Sequence, residues 1–136
     1  MKLRVRFAET DQMGVAHHSA YVVWLEAARV EWMRERGLSY RELEASGVSM
    51  AVSGLEIRYR RAARFDDVLE VRCRLEALRS RYGRYRYEIV DEGGRPLALA
   101  VSEHVPTDRR GRAVRLPAAW LDALAPHVAP ATEPTD

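Results

Sequence analysis

Polar and apolar residues alternate from the second position of the chain. Leu3, Val5 and Phe7 fall on one side and Lys2, Arg4 and Arg6 on the other. This is the two-residue period of a half-buried strand, which predicts a first strand over residues 2 to 8. Glu9 to His18 has no period and contains Thr, Asp and Gly, so a loop is expected. The period then lengthens: Tyr21, Trp24, Leu25, Ala28 and Trp32 recur at helical spacing. Ser19 is a good N-cap and Gly37 a stop, which predicts a helix over Ala20 to Arg36. Its first two turns are apolar nearly all round and should be enclosed, whereas Glu31, Arg34, Glu35 and Arg36 carry its last turns into water. Ser39 caps a short second helical piece through Glu44, ending near Gly47.

The remainder alternates like sheet. Leu55, Ile57 and Tyr59 interleave with Glu56, Arg58 and Arg60. Leu69, Val71, Cys73 and Leu75 interleave with Glu70, Arg72, Arg74 and Glu76, and Tyr85, Tyr87 and Ile89 with Arg84, Arg86 and Glu88. Asp91-Glu92-Gly93-Gly94 predicts a hairpin turn, and a return strand runs from Leu97 to about Val105. Pro106 to Arg115 is a basic loop, and Pro117, placed at N1, starts a last helix through Leu124. One domain is expected over 1-126. Residues 127-136, rich in Pro and Thr without either period, are expected to be a frayed tail.

Length and composition agree with one soluble core. The 136 residues are 47% hydrophobic and 31% charged, which suits a single folded domain and excludes intrinsic disorder, collagen-like sequence and coiled coil. Apolar runs stay near half a dozen residues, against the ~20 needed for a membrane span, and no apolar segment after Met1 reads as a secretory signal. Cys73 is the single cysteine, so no internal disulfide is possible and a reducing cytoplasm is the expected setting. The formal net charge of +2 argues against nucleic acid as a partner. Its distribution is uneven: residues 58 to 115 hold fifteen arginines against nine acids, and the rest of the chain seven bases against eleven acids.

A strand, an enclosed helix and four antiparallel strands pack economically as an α+β domain, a five-stranded antiparallel sheet wrapped around one long central helix. That arrangement resembles the hotdog fold. Glu9-Thr10-Asp11-Gln12-Met13-Gly14-Val15-Ala16-His17-His18-Ser19-Ala20-Tyr21 is similar to the signature of the 4-hydroxybenzoyl-CoA thioesterase family and of its relatives, the Tol-Pal-associated acyl-CoA thioesterases. Ile57-Arg58-Tyr59 and Ala62 to Val71 look like the family's second strand and the turn into its third. The resemblance spans roughly residues 3 to 117.

It implies an acyl-CoA thioesterase, and the residues fit that chemistry. A carboxylate at Asp11, in the loop between strand and helix, can act as a general base on water or as a nucleophile on the thioester carbonyl; the competing role is a turn-forming Asp that binds nearby amides. Gly14 would allow a tight turn or a close backbone approach. His17 and His18 lie at the positive end of the helix. In the family, the residue seven after the catalytic Asp gives its N–H to the oxyanion, which here is His18. Tyr21 can line the substrate site or simply belong to the core. Glu26 is a weaker rival to Asp11, since some hotdog thioesterases carry their carboxylate on the central helix, and it is expected to pair with Arg29.

Arginine suits the phosphates of coenzyme A, and Arg79 with Arg81, and Arg109 with Arg110, are the candidate phosphate ligands. No metal site is expected, because the histidines lack converging spacing, and no cofactor is expected beyond the CoA of the substrate itself. A sheet filled by its own helix leaves little interior, so a homodimer or homotetramer with sites between subunits is expected. Alternatives are a thioesterase acting on acyl carrier protein and a non-catalytic acyl-CoA-binding module.

Overall fold

The structure, a computed structural model, describes residues 1–129. Five strands form one antiparallel sheet: β1 (Lys2–Arg4), β2 (Ser49–Tyr59), β3 (Val68–Arg79), β4 (Tyr82–Asp91) and β5 (Pro96–Thr107), in the order β1-β3-β4-β5-β2. The long helix α1 (His18–Glu35) lies against the sheet, followed by α2 (Tyr40–Ala45), and α3 (Ala118–Leu124) runs into a 3-10 turn over Ala125–His127. Trp24, Leu25, Ala28 and Trp32 of α1 share one core with Val71, Leu75, Tyr87 and Ile89 of the sheet. On β5 the inward residues include Ala98, Ala100, Ser102 and His104. The small ones among them leave room for the ring-bearing face of α1.

Several boundaries differ from the sequence pattern, each for a local reason. β1 ends at Arg4, not at residue 8, because Phe7–Glu9 turns into a 3-10 helix with Arg6 N–H bonded to Glu9 Oε1 at 2.8 Å. Phe7 is therefore exposed and meets Phe65 edge-on. The N-cap of α1 is His17, not Ser19: its Nδ1 accepts from Ser19 N–H at 3.1 Å, so the imidazole does what a hydroxyl usually does. Pro117 is likewise the N-cap of α3 and not its first residue. β2 begins at Ser49, six residues ahead of the alternation, because a bulge between Val52 and Gly54 breaks the period. The expected frayed tail does not begin at 127. His127 meets the Trp32 ring, Val128 packs on the core, and Ala129 N–H donates to Leu75 O at 2.8 Å; residues 130–136 lie outside the described residues.

The enclosure predicted for the first turns of α1 is incomplete within one chain. Val22 is 43% and Val23 56% exposed. The inner face of β2 is also open, with Val52 at 51%, Leu55 at 41% and Tyr59, which meets the Tyr21 ring, at 50%. β2 is a sheet edge of eleven residues, so an apolar trough and a row of unpaired backbone groups lie side by side.

Candidate active site

The loop between β1 and α1 is built by short-range hydrogen bonds from Asp11 outward. Asp11 Oδ1 accepts from Met13 N–H at 2.8 Å and from Val15 N–H at 3.3 Å, and Asp11 N–H donates to Val15 O. This is the turn-forming behaviour weighed above, but it occupies one oxygen only. Oδ2 of the exposed side chain has no hydrogen-bond partner among the described residues. Gly14 closes the turn with φ +76 and has nothing within 4 Å of where a Cβ would stand. Its contribution is thus the backbone conformation and not a close approach.

The loop is pinned to the rest of the fold. Ala16 N–H donates to Ala63 O at 2.7 Å and His17 N–H to Glu9 O at 2.8 Å, while Trp24 Nε1–H donates to Glu9 Oε2 at 2.7 Å. Glu9 sits below the usual carboxylate range. Burial alone would raise it, but the bonds from Arg6 N–H and Trp24 favour the charged form and prevail.

With His17 as cap, His18 is the first residue of α1. Its N–H is one of the free donors at a helix start and has no backbone or side-chain partner among the described residues. His18 lines an open cleft of about 340 Å³ together with Val15, Tyr21, Tyr59, Arg60 and Arg61. Tyr21 is 2% exposed and touches the rings of Trp24 and Tyr59, so it belongs to the core and forms the cleft's wall at once. The His17 ring is engaged in the cap and stacks on His18 at 4.0 Å. It does not line the cleft. Asp11 does not line the cleft either, but it is bonded to Val15, which does.

The four candidate arginines lie together, away from His18. Arg79 and Arg81 flank the β3–β4 turn, and Arg109 and Arg110 lie in the loop after β5, where Asp108 Oδ1 accepts from the Arg110 and Arg112 N–H groups. Ser80 O accepts from Leu116 N–H, which puts both loops at one end of the sheet. The cleft is at the other end, where Tyr59 pairs with Ala98 and Ala98 with Ile89. From Tyr82 to Ile89 the strand rises about 24 Å, so within one chain these four arginines and His18 are far apart. The cationic residues that do stand beside His18 are Arg60 and Arg61, which the sequence reading passed over. Their placement directly after the β2 alternation was the available signal. Arg29 forms no ion pair with Glu26, contrary to the helical spacing; its guanidinium turns inward to Tyr87 Oη at 3.1 Å. No cluster of three or more potential metal-ligating side chains is present among the described residues, and no helix among them is long and apolar enough to cross a membrane.

One sheet of this order packed on a long helix is the hotdog fold, and the relatives that share it make this a thioester hydrolase. The model of the thioesterase-like superfamily matches residues 5–124, and the chain belongs to that family. It is 35% identical over 77 residues to the acyl-CoA thioester hydrolase YbgC of Escherichia coli O6:H1, 57% of this chain and 58% of that one. Among solved structures it is similar to the hypothetical protein TT1821 of Thermus thermophilus (43% identity, TM-score 0.88, covering 95% of this chain and 96% of that chain). It is also similar to the DHNA-CoA thioesterase of Staphylococcus aureus (27% identity, TM-score 0.88, covering 93% and 87%).

Proposed function

We propose that this protein hydrolyses an acyl-CoA or aroyl-CoA thioester to the free acid and CoA, with Asp11 and the His18 N–H as its working groups. The observation that carries this reading is the unpartnered N–H of His18, a cleft-lining residue at the positive end of α1, with Asp11 in the preceding loop bonded to the lining residue Val15. Asp11 acts through Oδ2. Either it takes a proton from water that adds to the carbonyl carbon, or it adds to that carbon itself and water then cleaves the anhydride. In both routes the carbonyl oxygen becomes an oxyanion held by His18 N–H. The C–S bond breaks as the carbonyl re-forms, and the sulfur leaves as thiolate to be protonated.

Arg60 and Arg61 are suited to CoA phosphates from within the chain. Arg79, Arg81, Arg109 and Arg110 can serve only from a second subunit. Antiparallel pairing of two β2 edges would cover Val22, Val23, Leu55 and Tyr59, and it would bring the Arg109 loop of the partner subunit toward this chain's Tyr59 end. That geometry supports a homodimer as the active unit.

Asp11→Asn is the decisive variant. Asparagine keeps an Oδ1 acceptor for Met13 and Val15, so the loop should survive, while base and nucleophile are removed. Hydrolysis of an acyl-CoA panel, followed by release of free thiol, should fall about 10²–10⁴-fold with the melting temperature little changed. Turnover equal to the parent protein would overturn the assignment.

A further inference from the structure

Asp11 and the His18 N–H come from two segments, the loop after β1 and the start of α1. A base and an oxyanion donor cooperate at one separation only, because both must reach the same carbonyl, and a misplacement of about 1 Å can cost on the order of 10²-fold in rate. Most bonds of the loop do not fix that separation. Ala16 N–H donates to Ala63 O, Phe65 N–H to Gly14 O, and Val15 bridges to Arg64, all of which tie the loop to the chain ahead of β3 and none to α1.

Among the described residues, both hydrogen bonds that join the chain before Asp11 to α1 and its cap are made by Glu9. Its carbonyl accepts from the N-cap residue His17 at 2.8 Å, and its Oε2 accepts from the indole N–H of Trp24, in the second turn of the helix, at 2.7 Å. Oε1 turns the other way, to Arg6 N–H at 2.8 Å. One side chain thus spans from the end of β1 to the body of α1. Its carboxylate is only 9% exposed yet stays charged, and hydrogen bonds to a charged acceptor are shorter and roughly twice as strong as neutral ones. The far end of the link is firm as well: Trp24 is 4% exposed, and its ring lies 4.8 Å from that of Tyr21, a wall of the cleft.

We infer that Glu9 is a positioning residue, which by bonding Trp24 sets the distance between Asp11 and the His18 N–H and so governs turnover without touching substrate. This deepens the thioesterase reading and rests on it. Glu9 is no rival base, because both its oxygens are engaged and it does not line the cleft. Glutamine cannot stand in for it. The Trp24 and Arg6 N–H groups each take one carboxylate oxygen, whereas an amide offers one oxygen and turns its NH₂, a donor, toward the other.

The test measures kcat and KM with hexanoyl-CoA, dodecanoyl-CoA and benzoyl-CoA, well below the melting temperature of each variant. Glu9→Gln and Trp24→Phe should each lower kcat roughly 10-fold to 10²-fold with KM little changed, and the double variant should be no slower than the slower single one, since both break one bond. Trp32→Phe removes an equally buried indole of α1 that has no bond to Glu9, and should leave kcat near that of the parent. In an Asp11→Asn background Glu9→Gln should cost nothing further, because the distance from an absent base no longer matters. Independently of turnover, the amide signals of Met13, Val15 and His18 should shift in Trp24→Phe and stay in place in Trp32→Phe. Multiplying effects in the double variant, an equal loss in Trp32→Phe, or the same further drop in the Asp11→Asn background would reveal a general loss of structure and overturn the inference. If the parent releases no thiol from any of the three thioesters, the thioesterase reading fails by itself; the link is then kept by shifted amides in Trp24→Phe and overturned by unmoved ones.

Discussion

Lowering the pH should destabilise this protein through His104 in particular. Burial pushes its imidazole from 6.5 down to about 4, and the Arg29 charge adds to that effect while the Met50 carbonyl opposes it. The ring faces Arg29 of α1, Tyr85 and Tyr87 of β4 and Tyr40 beyond α1, and no carboxylate is bonded to it. Between pH 6.5 and 4 the unfolded chain therefore holds a proton on this residue that the folded chain refuses. Stability contributed by the neutral ring is complete above the unfolded value and drains away as the pH falls toward the folded one. At 1.36 kcal/mol per pH unit the loss is on the order of 3 kcal/mol.

Glu9 and Asp91 also lose stability on acidification, because their folded carboxyls lie below the ordinary range. The useful quantity is thus the difference between the parent protein and His104→Gln, which keeps hydrogen-bonding capacity but cannot titrate here. Urea unfolding at pH 7.5, 6.5, 5.5 and 4.5 should show a steeper decline for the parent, by up to about 3 kcal/mol over the range. Parallel declines in the two proteins would refute the reasoning, as would a folded-state titration of the His104 ring near 6.5.

Other consequences are more local. Gly14→Ala should cost roughly 1–2 kcal/mol through backbone strain alone, because space for the methyl group exists, and the loss should appear as a lower denaturation midpoint with activity reduced alongside. His17→Ala should lose about 0.5–2 kcal/mol of helix capping and His17→Ser should recover most of it; equal stability of the two would deny the cap its importance. Arg60→Ala and Arg61→Ala should raise KM for acyl-CoA more than they lower kcat, and should have little effect on pantetheine thioesters. Leu55→Glu should shift the protein to a monomer in light scattering if β2 is the seam between subunits. A dimer that survives the charge would place the seam elsewhere.

Periodicity alone determined most of the architecture. The strand alternations, the helical recurrence of Tyr21, Trp24, Leu25, Ala28 and Trp32, and the Asp91 to Gly94 turn depend on residues close in sequence, and such signals survive in a bare string of letters. The Asp11 loop was legible for the same reason: its turn, its glycine and its helix start lie within ten residues. What the string could not show is which ends of the strands meet. Only the antiparallel register separated the Arg79 and Arg109 loops from His18 and set Arg60 and Arg61 beside it.

Tertiary structure alone also made His17 the cap, since a histidine acts as one only when its ring is steered back to the helix start. It decided as well that α1's apolar first turns stay partly bare, because one sheet covers one side of a helix. The same holds for Arg29 and His104, 75 positions apart in the chain. Helical spacing suggested a surface pair of Glu26 and Arg29, but the fold gave Arg29 a buried phenol at Tyr87, a partner no local pattern could reveal.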